Sequence, residues 1–405
     1  MKNDREYYGS AYRLLRFLRY IVLVLLVLFT VISMAIYKND ITFDNLRYLM
    51  RYVEFTSPGS SSGDGNISFS ATADSAFAMV DGKLASITGK EIFTYDMNGK
   101  KLLSENISMQ NPVTVENGDY ILVYDFGGTS ISLYNSFSCV FEKKMPSAID
   151  YVYLSEDGSF AIITDEKNYS GGVVAYDSNF KHIFTFMHPA SRVTDVCFDG
   201  KSGILACATT DVQNGNFLSE ILVFDTKSPA EEVKSTTYIA GELPLNMFCA
   251  DDNFAVMTDK GIHIFDEDCN KVTFCDFGYD TPCAIYKFDD GFAVCLKSAV
   301  ASTDTKLILF SYSGKVIFEE SFSSEISHVD KKSDRLFILA PTNLSVYTCS
   351  SEAVTKDFEQ PHDGRYKKVF PNGNIGYILV SQQGSVGYRF DDYVDSTTIK
   401  TEVQP

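Results

Sequence analysis

The sequence predicts an all-β protein. It reads as a β-propeller, eight blades by repeat count with seven as the second count, preceded by one transmembrane helix and a short juxtamembrane helix. Three observations carry this. A phrase of about 42 residues recurs eight times, the composition favours pleated strands, and one uncharged apolar run stands near the N-terminus.

Composition sets the bounds first. Hydrophobic residues make up 45% of 405 and charged residues 22%, the balance of a folded chain rather than a disordered one. There are 24 Tyr and 31 Phe but no Trp, and Tyr and Phe, with Val, Ile and Thr, suit half-buried pleated surfaces. The net charge is −18, distributed unevenly. Residues 1–38 carry about +4, which leaves about −22 on residues 39–405. A domain that acidic repels phosphate backbones, so nucleic acid is not an expected partner.

Residues 1–19 read as a cytoplasmic N-terminus and residues 20–37, "YIVLVLLVLFTVISMAIY", as the transmembrane helix. Eighteen residues without a charge extend roughly 27 Å as a helix, just enough to span a hydrocarbon core. Tyr20 and Tyr37 fall at the two interfaces. Arg13, Arg16 and Arg19 precede the run and set the topology, because a positive flank stays in the cytoplasm. The lipid bilayer is therefore an expected partner, and everything after Lys38 is expected outside the cytoplasm, at the cell envelope. "SMA" at 33–35 also fits a signal-peptide cleavage site, but the apolar run exceeds a usual signal core.

Residues 38–65 follow as a juxtamembrane helix and linker. Leu46, Leu49, Met50 and Val53 recur at helical spacing, Asp44 is placed to cap the start, and "TSPGSSSGDG" at 56–65 is a flexible linker.

The propeller is expected over 66–395, with a C-terminal tail at 396–405. Its phrases each end in an aromatic: Tyr95, Tyr134, Tyr176, Phe224, Phe265, Phe310, Tyr347 and Tyr388. The gaps run from 37 to 48 residues. Asp follows the aromatic at 96, 177, 225 and 266, and Asn at 135. Ahead of each lies an apolar run such as "FAIITD" at 160–165 or "YILVSQ" at 377–382, many of them after a Gly, Asn or Asp turn. Four short strands in about 42 residues is the period of a propeller blade. Runs that are apolar without alternation suit strands packed on both faces, which neighbouring blades in a ring provide. A stacked β-solenoid is the rival architecture, but its coils are usually shorter.

The aromatic-Asp phrase and the turn "SEDGSFAII" at 155–163 resemble WD40-like, TolB-like and quinoprotein-like propellers. The Arg-rich start, single span, "DNLRYL" at 44–49, Ser/Gly linker and Tyr/Phe-rich repeats resemble, over nearly the full chain, a family of bacterial single-pass membrane-anchored proteins with a propeller-like domain of unknown function. That resemblance implies a fold and a location and no activity. The absence of Trp departs from the Trp-Asp signature and from the Trp docking motifs of quinoproteins.

No chemistry-bearing motif assembles in the sequence. The nine Cys contain no C-x-x-C pair and read mainly as small core residues; Cys269 and Cys275 flank a turn that a disulfide would fit. The five His (182, 188, 263, 328 and 362) fall in different repeats. The acid pairs at 251–252, 289–290 and 391–392 lack calcium-loop spacing. There is no nucleophile elbow, Walker loop or dinucleotide fingerprint. Asn66, Asn106, Asn168 and Asn343 begin glycosylation sequons, which matter only in a host with that machinery. No catalytic residue, metal ligand or cofactor is predicted. The expected function is a binding module at the envelope for a protein, peptide or glycan. The alternative is an envelope hydrolase or lyase whose residues converge from several blades. A third reading is a sensory ectodomain acting through the 42–54 helix.

Overall fold

In the computed structural model, the described residues are 19–25, 27–28, 65–69, 71–72, 75–228, 232–250, 253–278, 280–298, 303–350, 354–373 and 376–390. The chain divides into two compact units, 1–56 and 57–405. In the first, residues 19–25 and 27–28 are helical and exposed. Among the described residues no helix is long and apolar enough to cross a membrane. The rest of the predicted span, Arg13, Arg16, the predicted juxtamembrane helix, the linker up to residue 64, the last five residues of the predicted propeller (391–395) and the predicted tail at 396–405 lie outside the described residues.

The second unit is an eight-bladed propeller. Eight four-stranded antiparallel sheets follow one another along the chain. Blades 1 to 7 span 76–106, 112–144, 148–188, 192–240, 244–276, 281–322 and 328–361, and each contributes its own four strands in order from the ring's centre outward. Blade 8 supplies only three, Tyr366–Asn372, Gly376–Ser381 and Gly384–Arg389. Its outer strand is Ile67–Ser68, from the start of the domain, with Ile67 opposite Ser385 and Ser68 opposite Gly384. The ring is thus fastened by the strand that opens the domain, which covers part of the edge of Gly384–Arg389.

The repeated phrase now has a structural meaning. All eight marker aromatics sit in the third strand of their blade, each opposite an apolar residue in the first two positions of strand 2: Tyr95 faces Leu84, Tyr134 Ile121, Tyr176 Phe160 and Phe224 Leu205. Phe265 likewise faces Phe254, Phe310 Phe292, Tyr347 Leu336 and Tyr388 Tyr377. Where both partners are aromatic the rings stack, at 4.9 Å for Phe160 and Tyr176 and 5.3 Å for Tyr377 and Tyr388. In blades 1 to 7 a β-bulge immediately precedes the marker on the side of strand 4, which bends the strand toward its turn.

The Asp or Asn after the marker closes that turn. Asp96 Oδ1 accepts the main-chain N–H of Asn98 and Lys100 at 3.0 and 2.8 Å. Asp177 does the same for Asn179 and Lys181, and Asp266 for Asp268 and Asn270. The last turn position takes a positive φ, 81° at Gly99 and 63° at Phe180. A short side chain that bonds the backbone two residues on is why Asp and Asn recur there.

Burial follows the blade stack. Strand 2 of blade 3, Phe160–Asp165, and strand 3, Gly171–Tyr176, are buried on both faces except at Asp165, while outer strands such as Lys271–Asp276 alternate exposed and half-buried residues. Core clusters join each blade to the next around the ring.

Candidate functional site: a bridged central channel and an apolar loop face

The eight inner strands, which surround the axis, are Ala76–Val80, Pro112–Asn117, Ala148–Leu154, Arg192–Asp199, Pro244–Ala250, Thr281–Phe288, His328–Lys332 and Tyr366–Asn372. On the face bearing the strand 1–2 turns they open into a cavity of about 1060 Å³. Its mouth carries Glu116, Glu156, Asp199, Asp289 and Asp330 among its acids, and Lys201, Lys287, Lys331 and Lys332 as its bases.

Most of these lysines have carboxylate partners. Lys331 pairs with Asp290 at 2.5 Å, Lys332 with Asp289 at 2.9 Å, and Lys201 with Glu156 at 3.3 Å. Lys368 of blade 8 reaches Glu116 of blade 2 at 3.2 Å, past blade 1. Lys287 differs: its ammonium lies over the ring of Tyr153 at 4.5 Å, and burial holds its pKa below the ordinary lysine value although Cys249, Cys197 and Asp195 favour the charge.

Two further contacts cross between blades. The Tyr153 hydroxyl, from blade 3, accepts the main-chain N–H of Cys249 in blade 5 at 3.1 Å. With Lys287 of blade 6 over the same ring, Tyr153 ties three blades together, and burial pushes its phenol well above the usual range. Deeper in the wall lies Asp195, only 4% exposed. Its two oxygens accept the N–H groups of Val196 and Met247, each at 2.7 Å. Burial raises this carboxyl to about 7 against those two hydrogen bonds. Asp330, half-buried, is also raised to about 7, by burial and by Glu116.

The histidines do not converge. His328 alone lies on an inner strand, where burial, then Lys368, holds it down to about 3, so it is neutral. His263 is in strand 3 of blade 5, with Nε2 at 2.8 Å from Glu242; His182, His188 and His362 bond local turn and strand groups. Among the described residues no group of three or more His, Cys, Asp or Glu is placed to hold a metal ion. Asp289 and Asp290 occupy a turn as lysine partners; the acid pairs at 251–252 and 391–392 lie outside the described residues. None of the nine cysteines forms a disulfide, Cys269 and Cys275 included. Cys207 and Cys295 are core residues, 0% and 1% exposed, whereas Cys249 lines the cavity.

The opposite face, which carries the strand 2–3 turns and the links between blades, is of another character. Phe126, Tyr169, Val212, Phe217 and Leu245, at the tips of blades 2 to 5, are 51%, 47%, 60%, 44% and 43% exposed. Blade 4 projects beyond its neighbours there. Its second and third strands, Ile204–Gln213 and Asn216–Asp225, have ten residues each, and they turn at Asn214-Gly215 with φ of 53° and 81°, the left-handed pair a two-residue hairpin needs. Sequence reasoning misses this hairpin, although its signal is present: the gap of 48 residues before Phe224 is the longest in the series.

Ring, seam and bridged channel define the class: a closed eight-bladed β-propeller with a seam made by the N-terminal strand. The chain belongs to a family of unknown function (DUF5711), which it matches over residues 61–386. Comparison with curated proteins finds no match. Among solved structures the chain is similar to Saccharomyces cerevisiae Sqt1, at 9% identity over 80% of this chain and 99% of that one, with a TM-score of 0.54. It is also similar to the quinohemoprotein alcohol dehydrogenase ADHIIG of Pseudomonas putida HK5, at 9% identity over 79% and 72%, with a TM-score of 0.50. At such identity these likenesses concern the fold.

Proposed function

We propose that this protein is a single-pass, membrane-anchored propeller of the bacterial cell envelope whose extracytoplasmic ring binds a partner protein. The observation that carries the binding role is the row of exposed Phe, Tyr, Val and Leu side chains on one loop face of blades 2 to 5. Large apolar groups gathered on one face of a rigid scaffold are the usual substance of an interaction surface. The anchor rests on the uncharged run at 20–37 and the arginines before it.

The hydrolase or lyase alternative draws on the two channel carboxyls with raised pKa, Asp195 and Asp330. Asp195 is better explained as a strut, since both its oxygens are occupied by main-chain N–H groups.

The test is affinity capture from envelope extract with residues 57–405, the compact unit, beside a Val212→Ser/Phe217→Ser variant. A specific partner retained by the wild type and lost by the variant supports the reading. Equal retention by both, or turnover of an envelope polymer that Asp330→Asn abolishes, overturns it. Protease added to intact cells tests the topology, with digestion of the ring expected.

A further inference from the structure

Asp195 and Met247 stand on the inner strands of blades 4 and 5, which run in the same direction from the loop face to the cavity face. The hydrogen bond from Met247 N to Asp195 Oδ2, 2.7 Å long, ties the two strands at that level. The backbones there are separated by no more than one aspartate side chain and one hydrogen bond, on the order of 6 Å. Two residues further along each strand come Cys197 and Cys249. Parallel strands tied at one level stay level after equal steps, so the two thiols arrive at the same level of neighbouring strands, near enough for Cys249 to disfavour the charged form of Cys197. A disulfide bridges Cα atoms about 4.4–6.8 Å apart, a span comparable to the separation of the strands at the Asp195–Met247 tie.

The two sulfurs differ in access. Cys249 is half-buried and lines the 1060 Å³ cavity, whereas Cys197 is 1% exposed behind it. Lys287 stands close enough to influence the charge on Cys197. From this geometry we infer that Cys197 and Cys249 form an oxidisable dithiol in the channel wall, a site of reversible disulfide formation. Its co-reactant is a low-molecular-weight disulfide entering through the cavity.

The Cys249 thiolate attacks one sulfur of that disulfide and expels one thiolate, giving a mixed disulfide. Cys197 loses its proton to the departing thiolate and attacks the Cys249 sulfur, expelling the second thiol. Two protein thiols become one S–S bond while the small disulfide is reduced to two thiols. Burial keeps Cys197 well above the ordinary thiol range, which suits a resolving thiol that stays protonated until its partner is activated. Oxidation also removes the Cys249 thiol from the group beside Tyr153 and Lys287, so the cavity wall changes with redox state.

The experiment treats the reduced full-length chain, carrying Cys283→Ser to remove the exposed thiol, with oxidised glutathione, alkylates the remainder and maps the peptides. Expected are the joint loss of the Cys197 and Cys249 thiols, a cross-linked 197–249 peptide pair, and recovery of both on reduction. Cys197→Ser should retain glutathione on Cys249, and Cys249→Ser should leave Cys197 unmodified. A stable glutathione adduct on Cys249 with Cys197 intact, a cross-link such as 269–275 in place of 197–249, or no loss of either thiol would overturn the inference. If a serine variant does not fold, the map of the Cys283→Ser chain still decides.

Discussion

The seam of the ring offers the sharpest test of the architecture. Ile67 is 2% exposed and packs with Phe77, Leu84, Tyr95 and Met97 of blade 1 and with Phe370, Ile378 and Val380 of blade 8. It is therefore the side chain through which the N-terminal strand joins first blade to last. Ile67→Ala removes three carbons, worth about 0.8 kcal/mol each in transfer. With the cavity left behind, the loss should be about 3–4 kcal/mol, inside the usual span of roughly 2–5 kcal/mol for such truncations. For a propeller of this size that is a fall in Tm of roughly 5 °C. Thermal unfolding by circular dichroism reads the shift, and hydrogen exchange locates it. The amides of Gly384–Arg389 should lose protection before those of Phe160–Asp165, because the seam opens first. A control, Val233→Ala, changes a residue 44% exposed on an outer strand and should move Tm by about 1 °C or less. If Ile67→Ala behaves like that control and exchange is unchanged, the ring does not depend on this strand and the closure argument is wrong.

Three other outcomes follow from single sites. Asp195 and Asp330 are raised from 3.8 to about 7 in the folded state, so the folded chain holds more protons than the unfolded one between those values. Their contribution is full below about 4 and is lost as pH rises through 7; Asp195→Asn should flatten that decline, as denaturant titrations at pH 4.5 and 7.5 would register. Gly99 has a φ of 81°, and a Cβ added there would meet nothing closer than Asn66 O at 3.9 Å, so Gly99→Ala should cost about 1 kcal/mol from backbone strain alone, read as a small Tm decrease. Lys331 is 5% exposed and held by Asp290 and the Ser333 carbonyl. Asp290→Ala, which strands the buried ammonium, should cost about 1–2 kcal/mol after discount for the exposure of the carboxylate, and Lys331→Met less than about 1 kcal/mol, by chemical denaturation.

The fold was legible because its signals are local and repeated. The marker aromatic makes a cross-strand pair, the Asp after it caps a turn, and the apolar run before it forms a strand buried on both faces. Repetition made those roles visible even where Asp225 gives way to Ser311 in a later blade. The placement of Ile67–Ser68 in blade 8 was not legible, because two residues carry no period. The channel was hidden for a deeper reason. Tyr153 meets Cys249 and Lys287, and Glu116 meets Lys368, only because the ring has closed, so no spacing along the chain encodes them. Cys249 shows the consequence. By repeat position it reads as a small core residue equivalent to Val115, yet it lines a cavity and touches a tyrosine two blades away.

The same closure determines how the first described residues of the domain are held. The described part of the domain begins with one short stretch. There Gly65 N–H donates to Met97 O at 3.1 Å, Ser385 Oγ donates to Gly65 O at 2.7 Å, and Ile67 fills the seam. Gly384, opposite Ser68, leaves no room for a side chain, since an added Cβ would lie 2.3 Å from Ile67 O. A force pulling on Gly65 would act first on the blade 8 edge. A two-residue strand has few hydrogen bonds to resist such a force, so its hold depends mainly on the burial of Ile67. The seam thus fastens the ring chiefly through one buried side chain, and a partner seated across blades 2 to 5 would leave it untouched.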